Sequence, residues 1–155
     1  MIPKFLAWDK KHNEMIRVVS INFDEKFVRG LAEVESNLDI ESSYNFDEIE
    51  VLESTGLKDN CGNDIYEGQI VKKINGYRHM MGKRGLTKEE IDTKMANKDI
   101  SEYELATIER KGAYFGVRHI GSDSVIPLNY NVVTKVEDLE VIGNIYQDAH
   151  LLKNN

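Results

Sequence analysis

Cysteine is almost missing from this sequence: Cys61 is the only one. An intramolecular disulfide is therefore excluded, and a single unpaired thiol points to a reducing compartment. Long apolar runs are missing as well. No window reaches the ~20 apolar residues of a membrane-spanning helix. The opening Met1-Ile2-Pro3-Lys4-Phe5 has no apolar core of a signal peptide before Asp9. These absences lead to the expectation of a cytoplasmic protein with no membrane contact. The four histidines, His12, His79, His119 and His150, lack the paired spacing of a zinc site. There is no Walker loop or dinucleotide fingerprint, and Ser20, Ser54 and Ser124 lie outside any nucleophile elbow. No carboxylate pair stands out as an acid–base couple. No cofactor, metal or catalytic residue is expected, and an enzyme, for instance a hydrolase, has no motif in its favour.

What is present is ordinary for a globular chain. With 155 residues, 41% of them hydrophobic and 30% charged, the chain is long enough to bury its own core without a metal or disulfide. The net charge is −7, which disfavours generic attraction to phosphate backbones although a local basic patch can override it.

The patterning is mainly that of β-structure. Lys4 to Asp9 and Met15 to Phe23 read as two strands around a turn at Lys11-His12-Asn13, a hairpin, with Val19, Ile21 and Phe23 expected on one face. A stretch holding Ser36, Asn37, Ser42 and Ser43 reads as an exposed loop, followed by a short strand over Ile49 to Leu52. Thr55 to Val71, TGLKDNCGNDIYEGQIV, is crowded with turn residues and leads into a strand at Ile70-Val71. From Leu86 to Lys111 the pattern changes. Thr87 with Glu90, and Ser101 with Glu104, have capping-box spacing. Ile91 with Met95, and Leu105 with Ile108, have helical spacing. Two short helices are predicted, stopped by Gly112. Strands return at Ala113 to Ile120, Ser124 to Leu128 and Leu139 to Tyr146, and Asp148 is placed to cap a last turn with Leu151 and Leu152. The expectation is a mainly β (α+β) chain: a β region with an acidic loop over residues 1–54, then a β-barrel or roll over residues 55–155 carrying a two-helix insertion at about 75–111.

Charge is unevenly placed. Residues 33–53 contain eight Asp and Glu and no Lys or Arg. Between Glu67 and Glu89 there is no acid, while Lys72, Lys73, Arg78, Lys83, Arg84 and Lys88 surround Tyr77 and His79. The basic stretch has the composition of a phosphate-tracking loop with a stacking aromatic. The acidic stretch suits a basic partner, mimicry of a nucleic acid, a neighbouring subunit's basic loop, or plain solvation.

Three blocks resemble the YopX family of phage and prophage proteins: KFLAWDKKHNEM (Lys4 to Met15), TGLKDNCGNDIYEGQIV, and EVIGNIYQDAHLL (Glu140 to Leu152). They stand in the family's order. Leu6 replaces a basic residue, Gln69 stands where the family generally has Asp, and Cys61 occupies a turn position commonly polar. The resemblance implies an SH3-like barrel or roll in the C-terminal part and a phage or prophage gene product, and it implies no chemistry. It marks Trp8, Thr55, Gly56, Asp59, Gly62, Ile65, Tyr66, Gly68, Gly143, Asn144 and Tyr146 as motif residues. Their types suggest architecture: Trp8, Tyr66 and Tyr146 bury area, and Thr55, Asp59 and the glycines shape turns. The favoured functional reading is a non-enzymatic accessory protein that self-associates as a homo-oligomer or binds a host or phage protein. Nucleic-acid binding through Lys72, Lys73, Tyr77, Arg78, Lys83, Arg84 and Lys88 is the alternative.

Overall fold

The computed structural model describes residues 4–32, 41–73, 87, 89–90, 104–130 and 134–153. The chain divides into two compact units, Met1–Gly56 and Leu57–Asn155.

The first unit holds β1 (Phe5–Asp9), β2 (Glu14–Asn22), β3 (Phe27–Ala32), β4 (Glu41–Asn45) and the start of β5 (Ile49–Lys58). They pair antiparallel in the order β4-β3-β2-β1-β5. Residues directly opposite in an antiparallel pair share a face, so Ala7 joins Ile16 and Val51, and Ile21 joins Val28. Ala7, Ile16, Val28 and Ile49 form the buried cluster, with Val18, Ile21 and Tyr44 packed on it.

The expected grouping of Val19, Ile21 and Phe23 is overturned by a bulge. Val18 lies opposite Gly30 and Ser20 opposite Arg29, which leaves Val19 as the extra residue. A bulge inserts one residue and switches the alternation. Val18 and Ile21 therefore reach the core cluster, while Val19 and Phe23 are exposed. Ser42 and Ser43 lie in β4 and not in a loop, and β5 is ten residues long where a short strand was expected.

The second unit contains β6 (Asp64–Tyr66), which lies beside β5, and a five-stranded antiparallel sheet. That sheet is built from β7 (Gln69–Lys73), β8 (Glu104–Lys111), β9 (Tyr114–His119), β10 (Ile126–Pro127) and β11 (Leu139–Asn144), in the order β10-β9-β8-β7-β11. Ile65, Val71, Ala106, Ile108, Val117 and Leu139 form its buried cluster.

Two expectations fail here. The helix predicted over Ser101 to Lys111 is a strand from Glu104 onward. Leu105 and Ile108 are both buried, but on opposite faces, because Leu105 is opposite Lys72 and Ile108 opposite Val117. Pairing with β7 on one side and β9 on the other satisfies the backbone of this segment and outweighs its weak helical spacing. Gly112 accordingly forms the β8–β9 turn with a positive φ of 62° and does not stop a helix. The sheets are also open: among the described residues β10 and β11 are edges of one sheet and no barrel closes. β10 is only two residues long and includes Pro127, which has no N–H to extend pairing.

Of the first predicted helix, Glu89 and Glu90 are helical, and the Glu90 N–H donates to Thr87 Oγ1 at 3.2 Å as a cap does. Ile91 and Met95 lie outside the described residues. Residues 149–152 form the expected last turn, but the Asp148 carboxylate accepts from the Asn144 N–H and does not cap it.

β2 and β3 meet closely at Gly30, where an added Cβ would come within 2.5 Å of Ile16 Cγ2 and 2.6 Å of the Arg17 carbonyl oxygen. Since one of these is backbone, the strands must separate to admit it. Gly30→Ala is expected to destabilise the chain by about 1–3 kcal/mol in urea unfolding. A wild-type midpoint would contradict this packing.

Candidate functional site

The turn-rich segment is organised by one carboxylate. β5 ends at Lys58 and the chain reverses through Asp59 to Asn63 before β6. Gly62 and Gly68 have φ of 83° and 84°, a region that favours glycine, and each marks a bend. Asp59 Oδ1 accepts from the N–H groups of Cys61 and Asn63 at 2.9 and 2.8 Å. Its Oδ2 accepts from the Asn63 side-chain amide at 3.2 Å and from the Val141 N–H of β11 at 2.9 Å. The Asn60 N–H donates to the Leu139 carbonyl at 2.9 Å. Burial pushes the Asp59 pKa up, but the hydrogen bonds from Val141, Asn63 and Cys61 outweigh it and hold the carboxyl below its ordinary value.

The closing block is tied to the same segment. The Gly68 N–H donates to the Ile108 carbonyl at 2.8 Å, and the Gly68 carbonyl accepts from the Ile145 N–H at 2.9 Å. Asn144 Oδ1 accepts from the N–H groups of Tyr146 and Gln147. A Cβ on Gly143 would meet the Asp148 carboxylate at 2.4 Å. Gln69 Oε1 accepts from the Tyr66 N–H at 2.7 Å. The Gln69 side chain thus closes the bend at Gly68 from within. Trp8 and Ile65 are buried, and Tyr66 and Tyr146 are half-buried. Thr55 lies within β5, next to Gly56 with its positive φ.

Two clusters of ionisable side chains stand apart from these turns. In the first unit Asp9 lies opposite Glu14 at the end of the apolar row formed by Ala7 and Ile16. Asp9 is buried and accepts from the Lys11 N–H at 3.0 Å and from His12 Nδ1 at 2.7 Å. Burial raises its pKa, yet the hydrogen bonds from His12 and Lys11 prevail and keep it below the ordinary value. Burial raises the pKa of Tyr44 against a side-chain hydrogen bond with Ser42, and the nearby Asp9 and Glu14 charges add to the rise. Asp9, His12, Glu14, Ser42, Tyr44 and Glu48 line an open cleft of about 320 Å³. Its carboxylates are acceptors suited to ammonium or guanidinium groups.

The second cluster lies in the C-terminal sheet. Lys73 is opposite Glu104, and His119 is opposite Ala106 in the next strand pair. The Lys73 side chain is 1% exposed, with Nζ 2.5 Å from His119 Nε2 and 3.6 Å from a Glu104 oxygen. His119 Nε2 lies 3.6 Å from the other Glu104 oxygen.

The alternative, nucleic-acid-binding reading of the sequence takes Lys72 and Lys73 as part of a basic loop. The structure has both in β7, with Lys72 Nζ 3.1 Å from a Glu140 carboxylate oxygen. Tyr77, Arg78, Lys83, Arg84 and Lys88 lie outside the described residues. The partnership of Lys73 with His119 across 46 residues was not legible in the sequence, and neither was the Asp9–Tyr44 cleft. The Asp9-to-His12 spacing, that of a short side-chain turn, was the one local signal of either. Among the described residues no three His, Cys, Asp or Glu side chains gather to hold a metal, and no helix is long and apolar enough to cross a membrane.

The family model described as YopX protein matches residues 4–153. The chain belongs to the YopX family. The crystal structure of protein EF1440 from Enterococcus faecalis is similar with a TM-score of 0.58 and 22% sequence identity, covering 98% of this chain and 99% of that one. At that identity the likeness concerns the fold. Comparison with curated proteins gives no match. The central YopX block thus meets the closing block at Asp59–Val141 and Gly68–Ile145, and meets the residue just before it at Asn60–Leu139.

Asp59→Asn keeps one acceptor oxygen but turns an NH2 group toward donors that the carboxylate now satisfies. A loss of about 2–3 kcal/mol is expected, because buried donors lose their partner. The acid arm has a definite sign. The native pKa lies below the ordinary 3.8, so the Asp59 contribution is full above pH 3.8 and is lost as pH falls from there through the native value. Urea unfolding from pH 7 to pH 3 checks both: the Asn variant should be weaker at pH 7 and lose less on acidification. Equal stability of the two proteins at pH 7 would rule out the clamp.

Proposed function

We propose that this YopX-family chain is a phage- or prophage-encoded accessory protein that acts by binding another protein, through its N-terminal unit. The observation that carries this reading is the segregation of charge. Residues 1–56 hold six Lys and Arg against twelve Asp and Glu, a formal charge of −6, whereas residues 57–155 hold fourteen against fifteen, a charge of −1. Almost the whole net charge therefore belongs to one unit, which favours a positively charged partner and speeds its encounter.

Two further features support a protein as the partner. Phe23 is 75% exposed and meets Phe46 edge-on, with ring centroids 6.2 Å apart, and Phe46 is followed by Asp47 and Glu48 in the same short 3₁₀ turn. An exposed aromatic beside acidic groups suits a segment carrying both basic and apolar side chains. β4 is also an end strand of the described sheet, which leaves a route for an added strand. The engagement of Lys72 with Glu140 and of Lys73 with Glu104 counts against these two as free phosphate contacts.

The test is a titration with a fluorescent Lys/Arg-rich peptide containing one aromatic residue, at several salt concentrations, beside a single-stranded DNA of equal length. Peptide binding that weakens with salt is expected, and Glu14→Gln with Glu48→Gln should weaken it about tenfold. Affinity for the peptide that is indifferent to this double change would overturn the reading, as would preference for the DNA. Light scattering across the same concentrations reports whether the bound protein is a second copy of this chain.

A further inference from the structure

The Lys73–Glu104–His119 cluster belongs to the C-terminal unit and spans three strands of its sheet. Directly opposite residues place Leu139, Lys73 and Glu104 in one row on a face of the C-terminal sheet. Val141, Val71, Ala106 and His119 form the next row on that face. Leu139, Val71 and Ala106 belong to the buried core. The charged groups therefore close the end of an apolar sheet face, and they do so across three strands.

We propose that Lys73, Glu104 and His119 form a proton-operated catch that holds the ends of β7, β8 and β9 together and loosens them when His119 takes up a proton. In the closed arrangement the amine and the imidazole share one positive charge, balanced by the Glu104 carboxylate. His119 Nε2 accepts from the Lys73 ammonium, which its uncharged form permits. A second proton on the pair removes the acceptor and sets two cations side by side with one carboxylate between them. Uncompensated charge in a buried place is strongly unfavourable.

The three side chains differ in their access to water: Lys73 is 1% exposed, His119 17% and Glu104 35%. Lys73 has no route out, so the protonated imidazole is the group that leaves. Its departure breaks the only side-chain tie in this cluster between β9 and β7.

The charges that act on His119 among the described residues are those of Lys73 and Glu104, and the charge that acts on Lys73 is that of Glu104. Among the described residues, Lys72 pairs with Glu140 and Arg118 with Glu109, both on the opposite face of the sheet. Asp123 acts on Arg118, Asp64 pairs with Lys58, and β10 has no ionisable side chain. Burial first, then the Lys73 charge, lowers the His119 pKa from its ordinary 6.5, with Glu104 opposing. Burial likewise lowers the Lys73 pKa, against the pull of Glu104. A depressed imidazole pKa means that the unfolded chain takes the proton more readily. Its contribution is therefore intact above pH 6.5 and is lost as pH falls from 6.5 through the native value.

The experiment uses the full chain. In wild type, the His119 ring resonances followed by NMR should titrate with a midpoint below 6.5, and Lys73→Met should move that midpoint upward. In urea unfolding, the wild-type unfolding constant should rise by up to about tenfold per pH unit within the window below pH 6.5. His119→Gln, which keeps an acceptor for Lys73 but cannot titrate, should lack this component; His12, His79 and His150 are common to both proteins and cancel. A wild-type midpoint at or above 6.5, or a His119→Gln profile parallel to wild type, overturns the catch. If the Gln variant does not fold, the wild-type titration alone decides.

Discussion

In the C-terminal unit the Asp59 carboxylate does what a short-range hydrogen bond seldom does: it sets a local turn and a long-range pairing with the same two oxygens. One oxygen closes the turn onto Cys61 and Asn63, and the other reaches Val141, 82 residues later in the chain. The turn has no apolar side chains with which to define its own position, since Asp59 to Asn63 is polar apart from Cys61, which is exposed. Its placement against β11 rests on this carboxylate and on the Asn60–Leu139 backbone bond. β11 in turn forms the edge next to β7, so the register of the sheet is joined to the shape of the turn. The need for buried donors to find acceptors explains why an ionised side chain serves here better than an amide.

Both units end an apolar sheet face with charged groups. In the first, Ala7 and Ile16 are followed by Asp9 and Glu14; in the second, Val71 and Ala106 are followed by Lys73 and Glu104, with His119 opposite Ala106. The two solutions differ in consequence. Asp9 is satisfied locally by the turn at Lys11 and His12, leaving Glu14, Tyr44 and Glu48 around an open cleft. Lys73 has no local partner and must draw on β8 and β9. The first arrangement leaves carboxylates around an open cleft, while the second pairs its charges internally. The proposed binding surface and the proposed proton catch thus lie in different units of a single chain.

Much of the fold was legible because its signals are local. The glycines at 56, 62 and 68 stand where backbone φ is positive, and Asp59 and Asn63 stand where a polar turn needs short side chains. β1, β2, β9 and β11 lie within or beside the apolar runs that announced them. β8 was misread because Leu105 and Ile108 are buried on both faces of a central strand, and burial on both faces hides the two-residue period. The Val19 bulge was invisible for a related reason. An inserted residue alters facing without altering composition, and only pairing with Gly30 and Arg29 reveals it. The ionic clusters were hidden by sequence distance: nothing near Lys73 names His119, and nothing near Asp9 names Tyr44.

By itself the sequence determined family membership, the predominance of strands, the bends of the segment from Thr55 to Val71 and the lack of a long apolar run. Each depends on residue type at neighbouring positions, where φ preferences and hydrophobic alternation act directly. Tertiary structure decided whether residues 104–111 become strand or helix, whether the sheets close, and which charges meet. Those outcomes depend on pairing partners far along the chain. There the desolvation of backbone and charge outweighs any local preference.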